Sequence, residues 1–214
     1  MKKALAVIGM IVAVLGGMAL LISLNLGENT DKVYEASEES GNIPEKVIGD
    51  ASKARVIVYE YADYGCTHCA EWNETITRYV EYFNGDLAVV FRGYDLGYQN
   101  GHAVAVAATA AQLQGYWKEF KDVVFATQEE WFYSSSSDLQ EQLVDYFNEA
   151  SSGKGDVEKF LSDLKSDDVE KRVNFENKIG KKANIEGTPT FRLGGKAINP
   201  SNLKELVTEK LSKK

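Results

Sequence analysis

The 214 residues are enough for one domain with a hydrophobic core, since 44% of them are hydrophobic and 26% are charged. The formal net charge is −8. Because binding to a phosphate backbone needs clustered lysine and arginine side chains, this acidic balance disfavours a nucleic-acid-binding function.

The N-terminus has the pattern of a membrane-targeting segment. Lys2 and Lys3 precede a run without charge over residues 4–24. As a helix this run would be about 31 Å long, close to the roughly 30 Å hydrocarbon core of a bilayer. Residues 1–26 are therefore predicted to be a single transmembrane anchor, with a cleaved signal peptide as the alternative. The two lysines predict a cytoplasmic N-terminus, so the rest of the chain is expected outside the cytoplasm.

A polar stretch and a strand–helix–strand pattern come next. Residues 27–46 are polar and acidic and are interpreted as a linker. Residues 55–62 are rich in β-branched and aromatic side chains, which is typical of a buried central strand. Apolar residues then recur at helical spacing from Cys69 to Phe83, and residues 87–91 form a second apolar run. This order predicts a βαβ unit with parallel strands.

A helical block is predicted over about 97–183. Its apolar residues recur at helical spacing in several successive segments. Residues 134–137 are small and polar and are interpreted as a loop. Asp138 and Glu141 have the spacing of a capping box, so one helix is expected to begin there.

The chain ends with the pattern of a hairpin and a helix. Thr190–Leu193 and Lys196–Ile198 flank two glycines, which predicts a β-hairpin with a two-residue turn. Apolar residues from Leu203 to Leu211 predict a last amphipathic helix. The expected fold class is therefore α/β over residues 47–214, a βαβ half and a ββα half separated by a helical insertion.

The two cysteines of the chain, Cys66 and Cys69, lie where the first predicted strand passes into a helix. A disulfide across two intervening residues closes too small a loop to stabilise a fold much, so a purely structural role explains the pair poorly. The helix N-terminus and His68 can both favour a thiolate at Cys66. Each lowers the pKa of the thiol from about 8.5. A lower pKa makes the disulfide a stronger oxidant, and a pKa of about 5.5 would contribute roughly 45 mV.

Other functions for the cysteine pair remain open at this point. A structural zinc site needs four ligands, and His102 is the only histidine besides His68. Paired cysteines can also carry copper, as in a thiol chaperone. Two inert thiols are disfavoured by their spacing and by their place at a strand–helix junction.

Two motifs resemble the thioredoxin superfamily. One is Cys66-Thr67-His68-Cys69 after a strand, and the other is Glu-Gly-Thr-Pro-Thr-Phe at 186–191, before the hairpin. The helical block and the histidine directly before the second cysteine are similar to DsbA-like thiol–disulfide oxidoreductases in particular. The resemblance covers about residue 47 to the C-terminus and implies a thioredoxin-like fold with a helical insertion.

The resemblance also implies roles for individual residues. Cys66 matches the attacking sulfur that forms a mixed disulfide, and Cys69 matches the resolving partner. Pro189 matches a cis-proline that faces the pair, and Thr188 would offer its backbone to a substrate strand and its hydroxyl to the cysteines. Thr67 stands where the family often has proline, at one of the two positions that tune the redox potential.

Glu60 matches a buried acid of the family and is notable by itself, because it shares a strand face with Val56 and Val58. Burial would raise its pKa and make it a candidate proton shuttle. The alternative is a glutamate at a strand end that reaches water. Asp63 and Tyr64 are expected in the loop before the cysteine pair, either at the rim of the site or as plain loop residues.

The sequence therefore predicts an extracytoplasmic oxidase that forms disulfides in reduced, unfolded exported proteins. A reductase or isomerase on the same fold, or a copper chaperone, is the alternative. No cofactor besides the Cys66–Cys69 disulfide is expected. The resemblance implies a quinone-linked membrane partner that reoxidises the pair, and the protein is expected to be a monomer.

Overall fold

The computed structural model describes residues 30–213. The predicted anchor, residues 1–26, lies outside the described residues. Over residues 30–213 no helix is both long enough and apolar enough to cross a membrane.

A five-stranded sheet of order β1-β3-β2-β4-β5 forms the centre of the described part of the chain. Its strands are β1 (Lys46–Ile48), β2 (Val56–Ala62), β3 (Leu87–Gly93), β4 (Thr190–Leu193) and β5 (Lys196–Ile198). Strands β2 and β3 are parallel, with Val58 opposite Val89, as the βαβ pattern predicts. Strand β4 is antiparallel to β2, and β5 completes the predicted hairpin with β4.

Short 3-10 helices cover Glu38–Ser40 and Pro200–Asn202, and the α-helices begin after β2 and mostly lie between β3 and β4. They are α1 (Thr67–Tyr82), α2 (Gly101–Gln112), α3 (Trp117–Ala126), α4 (Gln128–Trp131), α5 (Ser136–Ala150), α6 (Val157–Asp163), α7 (Asp167–Lys182) and α8 (Leu203–Ser212). Helix α1 is the crossover between the parallel strands, and α2 to α7 form the insertion. The fold is therefore thioredoxin-like with a helical insertion, as the sequence predicts.

The start of α5 differs from the sequence-based prediction. The helix begins at Ser136 rather than Asp138, and the residue that caps it is Ser135, whose hydroxyl accepts a hydrogen bond from the Asp138 amide at 3.3 Å. Serine is as good an N-cap as aspartate, so the helix begins within residues 134–137, which the sequence predicts to be a loop.

The two faces of the sheet are buried in two separate clusters. Val58 and Phe91 face a large core that includes both cysteines and the insertion helices. Tyr61 and Val90 face a smaller cluster against α7, which contains Phe175. Because successive strand residues alternate between faces, Glu60 shares the side of Val58 and lies in the large core.

The described part of the segment before β1 is largely exposed, but it is held against the domain at several points that its composition does not predict. Thr30 and Glu45 are buried, and β1 begins at Lys46 as the edge strand next to β3. The cause is Arg92 on β3, whose guanidinium donates to the Glu45 carboxylate at 2.6 Å and to the Thr30 carbonyl oxygen at 2.8 Å. A buried charge needs partners of this kind, and the acidic, polar segment supplies them. We call residues 30–45 the N-terminal segment.

A second buried ion pair fixes β1 to α7. The Lys46 ammonium group lies 2.6 Å from Glu176 Oε1, and Arg172 Nε donates to the same oxygen at 2.9 Å. Glu176 Oε2 accepts a hydrogen bond from the backbone amide of Gly93 at 2.7 Å. The two positive charges and their hydrogen bonds hold the pKa of Glu176 low although the carboxyl is buried.

Candidate active site

The cysteine pair lies where β2 turns into α1. Cys66 is the residue before the first turn of α1, with extended backbone angles, and its carbonyl oxygen accepts hydrogen bonds from the amides of Cys69 and Ala70. The turn needs glycine at position 65, because a Cβ atom there would lie 2.5 Å from Tyr98 Cβ. Helix α1 therefore presents its N-terminal amides at the Cys66 sulfur, as the sequence predicts.

The pKa of Cys66 is lowered to about 5. The largest cause is a hydrogen bond from the Cys69 thiol, and the Thr188 side chain and the amides of Cys69 and His68 lower it further. Burial of Cys66, whose exposed fraction is 4%, opposes these effects but does not outweigh them. The geometry therefore favours a thiolate at neutral pH.

Cys69 has the opposite electrostatic character. It is completely buried on the inner side of α1, and burial raises the pKa of its thiol far above the ordinary range. The Cys66 sulfur and the Glu60 carboxyl, both negative when ionised, raise it further. Both thiols are free in this structure. The pair thus combines a stabilised thiolate with a neighbour that stays protonated.

Thr188 and Pro189 face the pair from the loop before β4. The Thr188–Pro189 peptide bond is cis. The Cys66 thiol donates a hydrogen bond to the Thr188 carbonyl oxygen at 3.3 Å. The Thr188 hydroxyl is buried and makes no hydrogen bond among the described residues, but it lies close enough to Cys66 to lower the pKa of that thiol.

The two residues between the cysteines are exposed. The His68 ring points outward, with Nδ1 2.9 Å from Glu71 Oε2, and this carboxylate raises the pKa of His68. The Cys66 thiolate raises it slightly as well. His68 therefore acts on the Cys66 sulfur chiefly through its backbone amide, while its ring is held by Glu71. Thr67 has an exposed side chain at the start of α1.

Glu60 is buried next to the inner cysteine, with an exposed fraction of 3%. Burial raises the pKa of its carboxyl to about 7, and the positive charge of Lys121 partly offsets this. The side chain is thus the buried titratable group that the sequence predicts, rather than one that reaches water.

Lys121 is a residue of this neighbourhood that the sequence analysis missed. Its ammonium group is buried on α3, where it donates to Asn73 and, at 2.8 Å, to Asp122. The signal was present, because Lys121 lies on the same helical stripe as Trp117, Phe120 and Val124, which are all buried.

Asp63 and Tyr64 are buried and do not form a rim. Asp63 accepts hydrogen bonds from the amides of Gly65 at 2.8 Å and Leu96 at 2.6 Å, and burial raises its pKa to about 6. The Tyr64 hydroxyl accepts a hydrogen bond from the Trp117 indole at 3.1 Å. Both side chains hold the loop that carries Cys66 against the insertion.

In the described part of the chain, no three His, Cys, Asp or Glu side chains are placed to hold a metal ion together. The His102 ring contacts Asp95 at 3.5 Å and Glu170 at 3.3 Å and forms no ligand group with the two cysteines.

Comparison with known proteins agrees with this geometry. A family model described as Thioredoxin matches residues 42–209. The "Probable disulfide bond formation protein D" of Bacillus cereus is 26% identical over 172 residues, which cover 75% of this chain and 76% of that protein.

Two solved structures are similar in fold. Oxidised BdbD from Bacillus subtilis has a TM-score of 0.67 and 21% identity, covering 84% of this chain and 97% of that one. The thiol–disulfide exchange protein α-DsbA2 from Wolbachia pipientis has a TM-score of 0.61 and 19% identity, covering 77% and 86%.

The chain belongs to the thioredoxin family. Within that family it is a DsbA-like protein disulfide oxidoreductase, as the two motifs of the sequence predict.

Proposed function

We propose that this protein is an extracytoplasmic oxidase that forms disulfides in reduced, unfolded exported proteins. The observation that carries the proposal is the contrast within the pair: the pKa of Cys66 is lowered to about 5, whereas that of Cys69 is raised. Such a pair is stable in its reduced form, and its disulfide is correspondingly ready to accept electrons.

The reaction begins with the disulfide form of the pair. A substrate thiolate attacks Cys66 Sγ, a new disulfide bond forms between them, and the Cys66–Cys69 bond breaks with its electron pair on Cys69. The raised pKa of Cys69 means that this sulfur takes up a proton at once. Glu60, with a pKa of about 7, is the proposed donor of that proton.

The second half of the reaction releases the product. A second substrate thiolate attacks the substrate sulfur of the mixed disulfide, and Cys66 leaves as a thiolate. Its low pKa makes it a good leaving group. Two electrons have then passed from the substrate dithiol to the pair, which ends as a Cys66 thiolate and a Cys69 thiol.

The size of the oxidising tendency follows from the pKa. The pKa of Cys66, about 5, lies about 2 units below pH 7. The thiolate is therefore more stable than the thiol at this pH by roughly 2.7 kcal/mol. For a two-electron couple this corresponds to about 60 mV. An effect of this size supports an oxidising pair.

The remaining roles at the site are proposed from the resemblance and supported by position. Thr188 and Pro189 hold an extended substrate strand beside Cys66, and the exposed residues Thr67 and His68 tune the potential. The disulfide itself is the only redox group proposed.

The proposed setting is the outer face of a membrane. Residues 1–26 would anchor the protein in the membrane, and the protein would act as a monomer. A quinone-linked membrane protein would reoxidise the cysteine pair. A shared membrane would raise the effective concentration of the two partners. If the segment is cleaved, the domain acts free in the same compartment.

A titration in glutathione redox buffers tests the direction of the reaction. The full-length chain is equilibrated in each buffer, and the oxidised fraction is read by thiol alkylation. We expect a midpoint clearly more oxidising than the roughly −270 mV of thioredoxin. A midpoint at or below that value would overturn the oxidase proposal.

A reductase or isomerase on the same fold is the second candidate. The observation that favours it is threonine at position 188. DsbA-like oxidases commonly have an aliphatic residue before the cis-proline, whereas threonine is more frequent there in isomerase-like relatives.

The glutathione titration also tests the reductase, which needs a pair about as reducing as thioredoxin. It does not test the isomerase, because protein disulfide isomerase has a midpoint of about −180 mV. An isomerase would instead be recognised by its ability, in the reduced form, to rearrange a substrate with scrambled disulfides.

A further inference from the structure

A groove of about 430 Å³ lies beside the cysteine pair, on the side of the helical insertion. Gly65 and Thr67, the two neighbours of Cys66, form one wall, and the rings of Tyr98, Phe132 and Tyr133 form the other. We call it the aromatic groove. None of its lining residues belongs to the loop of Thr188 and Pro189. The aromatic groove is therefore distinct from that loop.

We infer that the aromatic groove is a substrate subsite that binds an aromatic side chain flanking the substrate cysteine, with a preference for a nearby lysine or arginine. This inference rests on the proposed function, because the occupant is the polypeptide that forms the mixed disulfide with Cys66.

The first support is the exposure of the rings. Tyr98 is 42% exposed and Tyr133 is 79% exposed, although large aromatic side chains in the described chain are mostly buried. The Tyr98 and Phe132 ring centroids are 6.4 Å apart, and those of Phe132 and Tyr133 are 4.8 Å apart. A contiguous exposed aromatic surface of this kind is typical of a binding site.

The second support is distance from the reacting sulfur. In a disulfide the two Cα atoms are about 5.5–6 Å apart, so a substrate cysteine bound to Cys66 lies directly above the groove wall. An extended chain advances about 3.3 Å per residue, and every second side chain points to the same face. The side chains two residues from the substrate cysteine are therefore within about 7 Å of it and face the protein.

The position of Tyr98 agrees with this reach. Tyr98 packs directly on Gly65, the residue before Cys66. The Cys66 thiolate is also the largest cause of a raised pKa at Tyr98. The groove thus begins at the sulfur that carries the substrate.

The third support is charge. Glu129 is the one charged side chain that lines the groove, and it is exposed. A lysine or arginine near the substrate cysteine would meet this carboxylate, whereas a glutamate would be repelled. Gln128, which also lines the groove, donates to the Tyr64 carbonyl oxygen at 2.7 Å and fixes the floor.

Single-turnover oxidation of dithiol peptides tests the subsite. The oxidised full-length chain is mixed with peptides that carry two cysteines and a lysine and differ only in phenylalanine or alanine two residues from each cysteine. Formation of the peptide disulfide is followed by chromatography. We expect a second-order rate constant about tenfold higher for the phenylalanine peptide, a difference of about 1.4 kcal/mol.

The variant Tyr133→Ala should reduce this preference to less than threefold. Its side chain is exposed, so the substitution does not threaten the fold. Tyr82→Ala is the matched control, because Tyr82 is a similarly exposed tyrosine at the far end of α1, and it should keep the full preference. Replacing the peptide lysine by glutamate should slow wild type more than Glu129→Gln.

The outcomes separate this inference from the proposed function. Equal rates for the two peptides, or an unchanged preference in Tyr133→Ala, would overturn the subsite while leaving the oxidase intact. If wild type oxidises neither peptide, the oxidase proposal fails, and the subsite fails with it.

Discussion

The Cys66 thiol and the Thr188 carbonyl oxygen are 3.3 Å apart and joined by a hydrogen bond, which ties the start of α1 to the cis-peptide loop. The carbonyl can only accept, so this bond belongs to the thiol form of Cys66. The Thr188 hydroxyl can donate to the thiolate instead. Thr188 therefore offers a hydrogen-bond acceptor to the Cys66 thiol and a donor to the Cys66 thiolate.

Substitution Thr188→Val should raise the pKa of Cys66 by about one unit, because it removes a donor to a charged sulfur. The midpoint potential should become about 30 mV less oxidising. Iodoacetamide alkylation rates measured against pH report this pKa. Thr77→Val is the control, since Thr77 also has a buried hydroxyl without a partner but lies further along α1. An unchanged pKa in Thr188→Val would contradict the proposed donor.

The two cysteines should give opposite results when each is replaced by serine. Cys69→Ser keeps the attacking sulfur but cannot resolve the mixed disulfide, so a covalent complex with reduced substrate should accumulate. Cys66→Ser should form no complex and lose all oxidase activity, because Cys69 is buried and its pKa is raised. Non-reducing electrophoresis detects the complex. A complex of equal yield in Cys66→Ser would reverse the assigned roles.

Replacing Glu60 by glutamine should slow dithiol oxidation at least about tenfold at pH 7, since a positioned proton donor typically contributes a hundredfold or more. The pH profile of the wild type should show an inflection near 7, the pKa of Glu60. This inflection should be absent in Glu60→Gln. If it persists, another group titrates there and Glu60 is not the proton donor.

The carboxyl group of Glu60 should also make the fold less stable as pH rises. The pKa of Glu60 is 4.5 ordinarily and about 7 in the folded chain, so the folded state binds this proton more tightly. Its contribution to stability is present below about pH 4.5 and is lost as pH rises to 7, by up to about 3 kcal/mol.

Urea unfolding at several pH values measures this effect. The free energy of unfolding of Glu60→Gln minus that of wild type should become more positive by up to about 3 kcal/mol between pH 4 and pH 8, because only wild type loses stability over this range. Glu74→Gln, at an exposed position on α1, is the control and should show a nearly constant difference. A constant difference for Glu60→Gln as well would mean that its carboxyl is not buried.

Arg92→Met should destabilise the fold by about 3–5 kcal/mol, because it removes the closest charged partner of the buried Glu45 carboxylate. Among the described residues, that carboxylate would keep only the Tyr34 amide at 2.8 Å and the Arg172 guanidinium at 3.8 Å. Arg78→Met is the matched control. Arg78 pairs with Glu74 on the surface at 3.5 Å, and such pairs contribute less than about 1 kcal/mol. Limited proteolysis should cut the N-terminal segment of Arg92→Met faster than that of wild type. Equal cleavage would mean that the segment is held by other contacts.

The parts of the fold that the sequence predicts are those encoded locally. The parallel pairing of Val58 with Val89 follows from two apolar runs joined by a helix, and the hairpin follows from Gly194 and Gly195. The cysteine pair and its helix N-terminus follow from the spacing of Cys66 and Cys69 in the same way.

The parts that the sequence does not predict depend on long-range partners. Nothing in the sequence near Glu45 shows that its carboxylate meets Arg92, 47 residues away, so the acidic composition alone predicts a linker. Likewise, nothing near Tyr98 shows that its ring covers Gly65. Only the packed sheet and insertion bring these residues together.

The burial of Arg92 also determines where the catalytic unit begins. The family match starts at residue 42. A recombinant fragment cut there would keep Glu45 but lose the carbonyl oxygens of Thr30 and Lys32, which accept from Arg92 at 2.8 Å and 2.7 Å. The guanidinium would then be left under-satisfied inside the protein. A catalytic unit that keeps every hydrogen-bond acceptor of Arg92 therefore starts no later than Thr30, twelve residues ahead of the boundary that family similarity alone would suggest.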